Sequence, residues 1–141
     1  MFFRLAAAAI LAGTTMVAIA DQPNINPGMW EYTTTMSFQS DFPIPDQSDT
    51  RSECVTAEDI AEGDTFIEEM EGCDLTRRDL TRDRLDYVME CRAPDGTTMR
   101  MEASVEFNGD SSTGHVTGDM ETPMGPMKMD IRMLGRRTGD C

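Results

Sequence analysis

The chain has 141 residues, with 26 acidic against 12 basic side chains, a net charge of −14 at pH 7 and a single histidine. A surface this acidic repels phosphate backbones and anionic headgroups, which excludes nucleic acid and membrane surfaces as expected partners. The same charge favours solubility, and adaptation to a salty environment accounts for it more simply than a basic partner does.

Residues 1–20 read as a signal peptide. Arg4 supplies the basic start, "LAAAAILAGTTMVAIA" the short apolar stretch, and Ala18-Ile19-Ala20 a small-x-small cleavage site before Asp21. No cysteine sits at the cut, so no lipid attachment is expected, and no second apolar stretch of roughly 18 residues follows to span a membrane. The remainder, 21–141, is expected to be a single β-rich domain in the periplasm, long enough for one core. Cys54, Cys73, Cys91 and Cys141 all lie in it, and no CxxC spacing points to zinc or to a thioredoxin-like redox site. They read as disulfides.

From Trp30 onward the dominant period is two. Trp30, Tyr32, Met36 and Phe38 alternate with Glu31, Thr33, Thr35 and Ser37, the pattern of a half-buried strand. "DFPIPDQSD" interrupts it, and a short strand resumes near Thr50–Val55. Thr56 then N-caps a helix beginning at Ala57, with Glu58 and Asp59 in its first turn. Ile60, Phe66, Ile67 and Met70 supply its buried side; Glu68, Glu69 and Glu71 supply its wet face; Gly72 is expected to end it.

The second half reads as an antiparallel meander. Arg82 is midway between Cys73 and Cys91, so a hairpin turning there sets the two cysteines opposite each other at a disulfide-compatible distance. Cys54 and Cys141 then pair by elimination. "APDGT" suits a three-residue loop with Gly96 left-handed, which pairs Cys91 with Met99, Met89 with Met101, Tyr87 with Ala103 and Leu85 with Val105. Asn108-Gly109 is expected to form the next turn, setting Phe107 opposite Asp110 and Val105 opposite Ser112. "TPMGP" makes the last turn. Met127, Met129, Ile131 and Met133 then share one face, with Lys128, Asp130 and Arg132 on the other. The fold expected is mainly β: a curved antiparallel meander sheet or partly open barrel of about six or seven strands, with one short helix across one end. Met99, Met101, Met129 and Ile131 should be buried, and Glu102, Glu106, Lys128 and Asp130 exposed.

Of the 13 methionines, Met36, Met89, Met99, Met101, Met120, Met127, Met129 and Met133 fall on the expected inner face. Strand parity argues for packing rather than for a mobile metal-loading tract. Met127 and Met129 lie about 6 to 7 Å apart along one strand. Turning a fully buried methionine toward a metal also costs roughly 1.5 to 3 kcal/mol, so no tight Cu(I) site is expected. Met124, with Met120 or Met127 at the strand ends, escapes that cost.

"PGMWEYTTTM" after a signal peptide, "CVTAED" opening a helix, Gly72-Cys73, "YVMEC" and the terminal "GRRTGDC" resemble the domain of unknown function 3617 family of exported bacterial proteins. Its members commonly begin with Pro-Gly-(Leu/Met)-Trp-Glu, here Pro27–Glu31, and end in Gly-Asp-Cys, here Gly139–Cys141. The resemblance covers essentially all of 21–141 and implies a location and a fold, but no catalytic residues.

An enzyme is not expected. His115 falls on the polar face between Thr113 and Thr117, "GDSSTGH" does not have the spacing of a nucleophile elbow, and pairs such as Asp79 and Asp83 arise by chance among so many acids. The expected function is a non-enzymatic exported domain that binds an apolar small molecule in a methionine-lined interior, through Trp30, Tyr32, Met99, Met101, Met129 and Met133. The alternatives are an envelope module that meets a protein partner through its acidic face and, more weakly, Cu(I) or Ag(I) held by Met120, Met124 and Met127. No cofactor and no metal site are expected.

Overall fold

The computed structural model describes residues 22–63, 66–67 and 70–141; the leader read at 1–20 and the acidic positions 68 and 69 lie outside them. The strands are β1 (Gly28–Gln39), β2 (Gln47–Val55), β3 (Cys73–Leu80), β4 (Arg84–Arg92), β5 (Thr98–Phe107), β6 (Ser111–Thr122) and β7 (Gly125–Gly139), with helix α1 (Ala57–Glu62) between β2 and β3. They make one 7-stranded antiparallel sheet in the order β2-β1-β7-β6-β5-β4-β3. The sheet is open, with β2 and β3 at its edges. Both edges are polar and charged, and β3 carries a bulge at Thr76, devices that discourage further strand pairing.

The disulfides are Cys54–Cys141 and Cys73–Cys91, as expected. Cys91 faces Met99, Met89 faces Met101, Tyr87 faces Ala103 and Leu85 faces Val105, also as expected. Gly96 is left-handed, at φ +90°, inside a three-residue loop closed by the Ala93 N–H donating to the Thr97 carbonyl. β2 begins at Gln47, earlier than expected, because β1 extends far enough for Met36 to pair with it.

Two expectations are corrected. The first concerns α1, which stops at Gly63 instead of running to Gly72. Gly63 adopts φ +70° and its N–H donates to the Asp59 carbonyl, a left-handed C-cap that leaves Ile60 as the buried residue of the helix. Phe66 and Ile67 pack from the connection that follows, and Met70 is 39% exposed.

The second is the β5–β6 register. Phe107 lies opposite Ser112 rather than Asp110, and Val105 opposite Gly114 rather than Ser112. The Asn108 N–H donates to the Ser111 carbonyl, so the turn residues are Gly109 and Asp110, with glycine first at φ +75° and no non-glycine residue at positive φ. A neighbouring segment holds this turn. The Gly109 N–H donates to the Asn24 carbonyl at 2.7 Å, the Asn26 N–H to the Gly109 carbonyl at 3.0 Å, and Asn26 Nδ2 to Asp110 Oδ1 at 2.8 Å. A shift of two residues preserves parity, so the even positions of β6 still face inward.

Topology decides where the inner face is covered. β2 ends at Val55, opposite Gly28 at one end of the sheet, while β3 starts at Cys73 on the far edge, in the row Cys91–Met99–Met120–Met127 at the other end. The connection from Val55 to Cys73 therefore has to pass from one end of the sheet to the other on a diagonal, and its described residues Ile60, Phe66 and Ile67 lie on the inner face. Ile60 joins Ile25, Trp30, Val55, Leu85, Val105 and Phe107 in one core cluster, the Phe66 ring packs tilted against Phe107 with centroids 5.1 Å apart, and Ile67 touches both this cluster and a second one around Met89, Met101 and Val116.

Candidate functional site

Among the described residues none covers one corner of the inner face: the part of β1, β7 and β6 near the β1–β2 loop and the β6–β7 turn. Met36, Phe38, Met120, Met127, Met129 and Ile131 lie there, and each is half-buried. Met99 and Met133, at the margins, are half-buried as well. The expectation that Met99, Met129 and Ile131 would be buried is thus corrected, while Met101 is buried at 7% exposure. The reason is coverage, since these side chains have the inward parity and pack on the second cluster, but no described residue forms a layer above them. Glu102, Glu106 and Lys128 are exposed as expected; Asp130 is half-buried against His115 and Arg132.

A cleft of about 520 Å³ opens beside this corner. Phe42 and Ile44 from the β1–β2 loop, Met124 from the β6–β7 turn, and Pro126 and Met127 from β7 line it, together with Asp95. Met124 is 74% exposed. A thioether so placed between Pro123 and Gly125 is held out by the turn, whose Thr122 hydroxyl accepts from the Met124 N–H and donates to the Gly125 carbonyl.

The residues expected to bind a ligand divide between two surroundings. Trp30 is 0% exposed, its indole N–H donates to the Asn26 carbonyl at 2.9 Å, and its ring stacks on Tyr32 at 6.0 Å. It is sealed under α1 and the segment around Ile25. Tyr32 packs against the same cluster, and burial, ahead of the nearby Glu53 carboxylate, pushes its phenol up to about 12. Met101 is in the second cluster, with Met99, Met129 and Met133 against it. The structure therefore brings Met99, Met101, Met129 and Met133 together and keeps Trp30 apart from them. Met36, Phe38 and Phe42, which complete the apolar corner, were not among the residues expected to bind a ligand; β1 parity already puts the first two on the inner face, but only the fold places the Phe42 loop beside Met127.

Glycines shape this surface. A Cβ at Gly118 would approach the Met129 methyl at 3.0 Å and Met101 Cγ at 3.7 Å, so the two methionines close over that position. At Gly114 the Met133 methyl lies across the backbone in the same way, 2.8 Å from a Cβ there.

The polar face carries cross-strand ion pairs: Arg100 with Glu90 at 2.7 Å, Arg84 with Glu106 at 3.7 Å and Arg136 with Glu31 at 3.2 Å. They are exposed, so water and salt screen them and they add little to stability. His115 Nε2 lies 2.7 Å from Asp130 Oδ2, and this contact holds the Asp130 carboxyl below the usual range. Ser104 sits opposite His115 in register. On its other side Ser104 faces Asp86 in register, whose carboxyl is held down mainly by the Arg84 guanidinium. The row has the residue types of a hydrolytic triad, but His115 Nε2 is engaged by Asp130. Among the described residues no group of three or more His, Cys, Asp or Glu side chains has metal-binding geometry.

An open antiparallel sheet stapled by two disulfides, with one short helix laid across its apolar face, defines the class: a small disulfide-bonded β domain. The chain belongs to the DUF3617 family, whose model, described as a protein of unknown function, matches residues 25–141. No curated protein and no solved structure matches it. The disulfides, with no free cysteine among the described residues, point to an oxidising, exported compartment, and no described helix is long and apolar enough to cross a membrane.

Proposed function

We propose that this is a non-enzymatic periplasmic domain, exported by its N-terminal leader, that binds an uncharged apolar small molecule on the open corner of its inner face. The observation that carries the reading is the contrast in coverage. One end of the sheet is sealed by α1, Phe66, Ile67 and Ile25, while the other presents half-buried Met36, Met129 and Ile131 beside the cleft at Phe42 and Met127. Methionine suits a permissive site because its unbranched, polarizable side chain repacks around different shapes at little cost. The acidic polar face lies on the other side of the sheet and keeps the domain dispersed.

The test is a fluorescence titration of the disulfide-bonded protein with N-phenyl-1-naphthylamine, a neutral apolar probe. Saturable enhancement with a blue shift is expected. Met129→Lys, which puts a charge in the open corner, should weaken binding by about tenfold or more, equivalent to about 1.4 kcal/mol. The reading fails if enhancement never saturates, or if the variant binds as well as the parent protein.

A further inference from the structure

We propose that Met99, Met120 and Met127 form a thioether site for a soft monovalent cation, Cu(I) or Ag(I). This goes beyond the apolar-ligand reading and does not depend on it. Along β7 the methionines are spaced two residues apart, too far for easy convergence, but across the sheet the register does what the spacing along one strand does not. Met99 is the direct partner of Met120, and Met120 is the direct partner of Met127. Direct antiparallel partners have Cβ atoms about 4.5 to 5.5 Å apart on one face. Three thioethers from three adjacent strands therefore stand in a single row.

The outer two strands are about 10 Å apart, so each outer sulfur has to lean inward by roughly 3 Å over Met120, within reach of a side chain with three rotatable bonds. Leaning breaks little packing at Met120 and Met127, which are half-buried in the uncovered corner, and somewhat more at Met99, which is half-buried at its margin against the Met101 cluster. The next row differs: Met101 is buried and Gly118 stands between it and Met129, so three adjacent strands do not each supply a thioether there.

The donor chemistry selects the ion. Thioethers are soft and neutral, and they favour Cu(I) and Ag(I) over the hard divalent cations that carboxylates hold. Both disulfides are formed and no described cysteine is free, so no thiolate competes for the metal. The lone histidine is on the opposite face. A domain in an oxidising compartment that is to hold a soft cation needs donors that disulfide formation does not consume, and thioethers meet that need.

The test uses disulfide-bonded protein with carbon-13 methyl-labelled methionine, titrated with silver nitrate in chloride-free buffer. The methyl resonances of Met99, Met120 and Met127 should move together and saturate at about one equivalent, while those of Met101 and Met133 stay in place. Met120→Leu, which nearly conserves volume, should abolish saturation and leave the buried-Trp30 fluorescence unchanged. Met101→Leu should bind as the parent does. The proposal is overturned if no methyl resonance saturates, if only the exposed Met124 responds, or if Met120→Leu still binds one equivalent. Silver saturation without N-phenyl-1-naphthylamine binding, or the reverse, separates this site from the apolar-ligand reading.

Discussion

Tyr32 shows how one residue's surroundings become a property of the whole protein. Its ring lies on Trp30 within the sealed cluster, and burial raises the phenol from its ordinary 10.0 to about 12. A group whose folded pKa is raised contributes stability that is fully present below its unfolded pKa and is lost as pH rises through the folded one. The urea midpoint is therefore expected to fall from pH 10 toward about 12, more steeply in the parent protein than in Tyr32→Phe. Equal slopes in the two proteins would contradict the buried placement of the phenol. Gly135 makes a related point about backbone space. A Cβ there would strike Ser112 Oγ and come within 2.9 Å of Tyr32 Cε1, so the aromatic ring occupies room that only glycine leaves. Strand parity in the sequence assigns Tyr32 to the inner face, but not to a position across a neighbouring strand's glycine.

At the scale of the element, α1 is a short helix stabilised mainly at its ends. The Thr56 hydroxyl accepts from the Asp59 N–H at 3.2 Å, and the Asp59 carboxylate accepts from the Thr56 N–H at 2.8 Å, a reciprocal capping arrangement. The Thr56 backbone N–H, followed by its hydroxyl, lowers the Asp59 carboxyl below its ordinary 3.8. Because the folded pKa is depressed, this stabilisation is present above the unfolded pKa and lost as pH falls through the folded one. Carbon-detected titration should place the Asp59 midpoint below 3.8, with the amide signals of Ala57–Glu62 shifting in the same acid range. A midpoint at or above 3.8 would mean that the cap is open in solution. The start of α1 was legible because a threonine followed by acids in the first turn has a local cause. Its end was misplaced because an apolar pattern continues past Gly63, through Phe66 and Ile67, where the chain still has to cover the sheet although it is no longer helical.

For the whole molecule, the two disulfides act at different ranges. Cys73–Cys91 closes 18 residues within one hairpin, whereas Cys54–Cys141 closes 87 and ties the β2 edge to the chain end beyond β7. Loop-closure entropy in the unfolded chain predicts losses of about 3 kcal/mol for paired Cys73→Ser and Cys91→Ser, and about 4 to 5 kcal/mol for paired Cys54→Ser and Cys141→Ser. Urea unfolding followed through the single tryptophan checks the order, and a larger loss from the hairpin pair would reverse the account. The long bridge has a topological role as well. β2 has only β1 beside it, and without the bridge its other edge has no covalent restraint where residues 56–72 depart across the sheet.

What the sequence determined by itself was what had a local period or a self-contained turn: the alternation in β1, the Cys73–Cys91 hairpin, the three-residue loop around Gly96, and the face to which each methionine belongs. Side-chain parity needs only the pleat, and a turn that no other segment touches needs only its own few residues, so both can be read without knowing what lies beside them. The tertiary structure decided the rest. It shifted the β5–β6 turn to Gly109-Asp110, where Asn24 and Asn26 bond to it from a distant part of the chain. It placed Met99, Met120 and Met127 in one row, a relation between three strands that no spacing along one of them reveals. It also left those methionines half-covered, because burial depends on which layer lies above a strand, and that layer's path is set by the distance the chain must cross between the β2 and β3 edges.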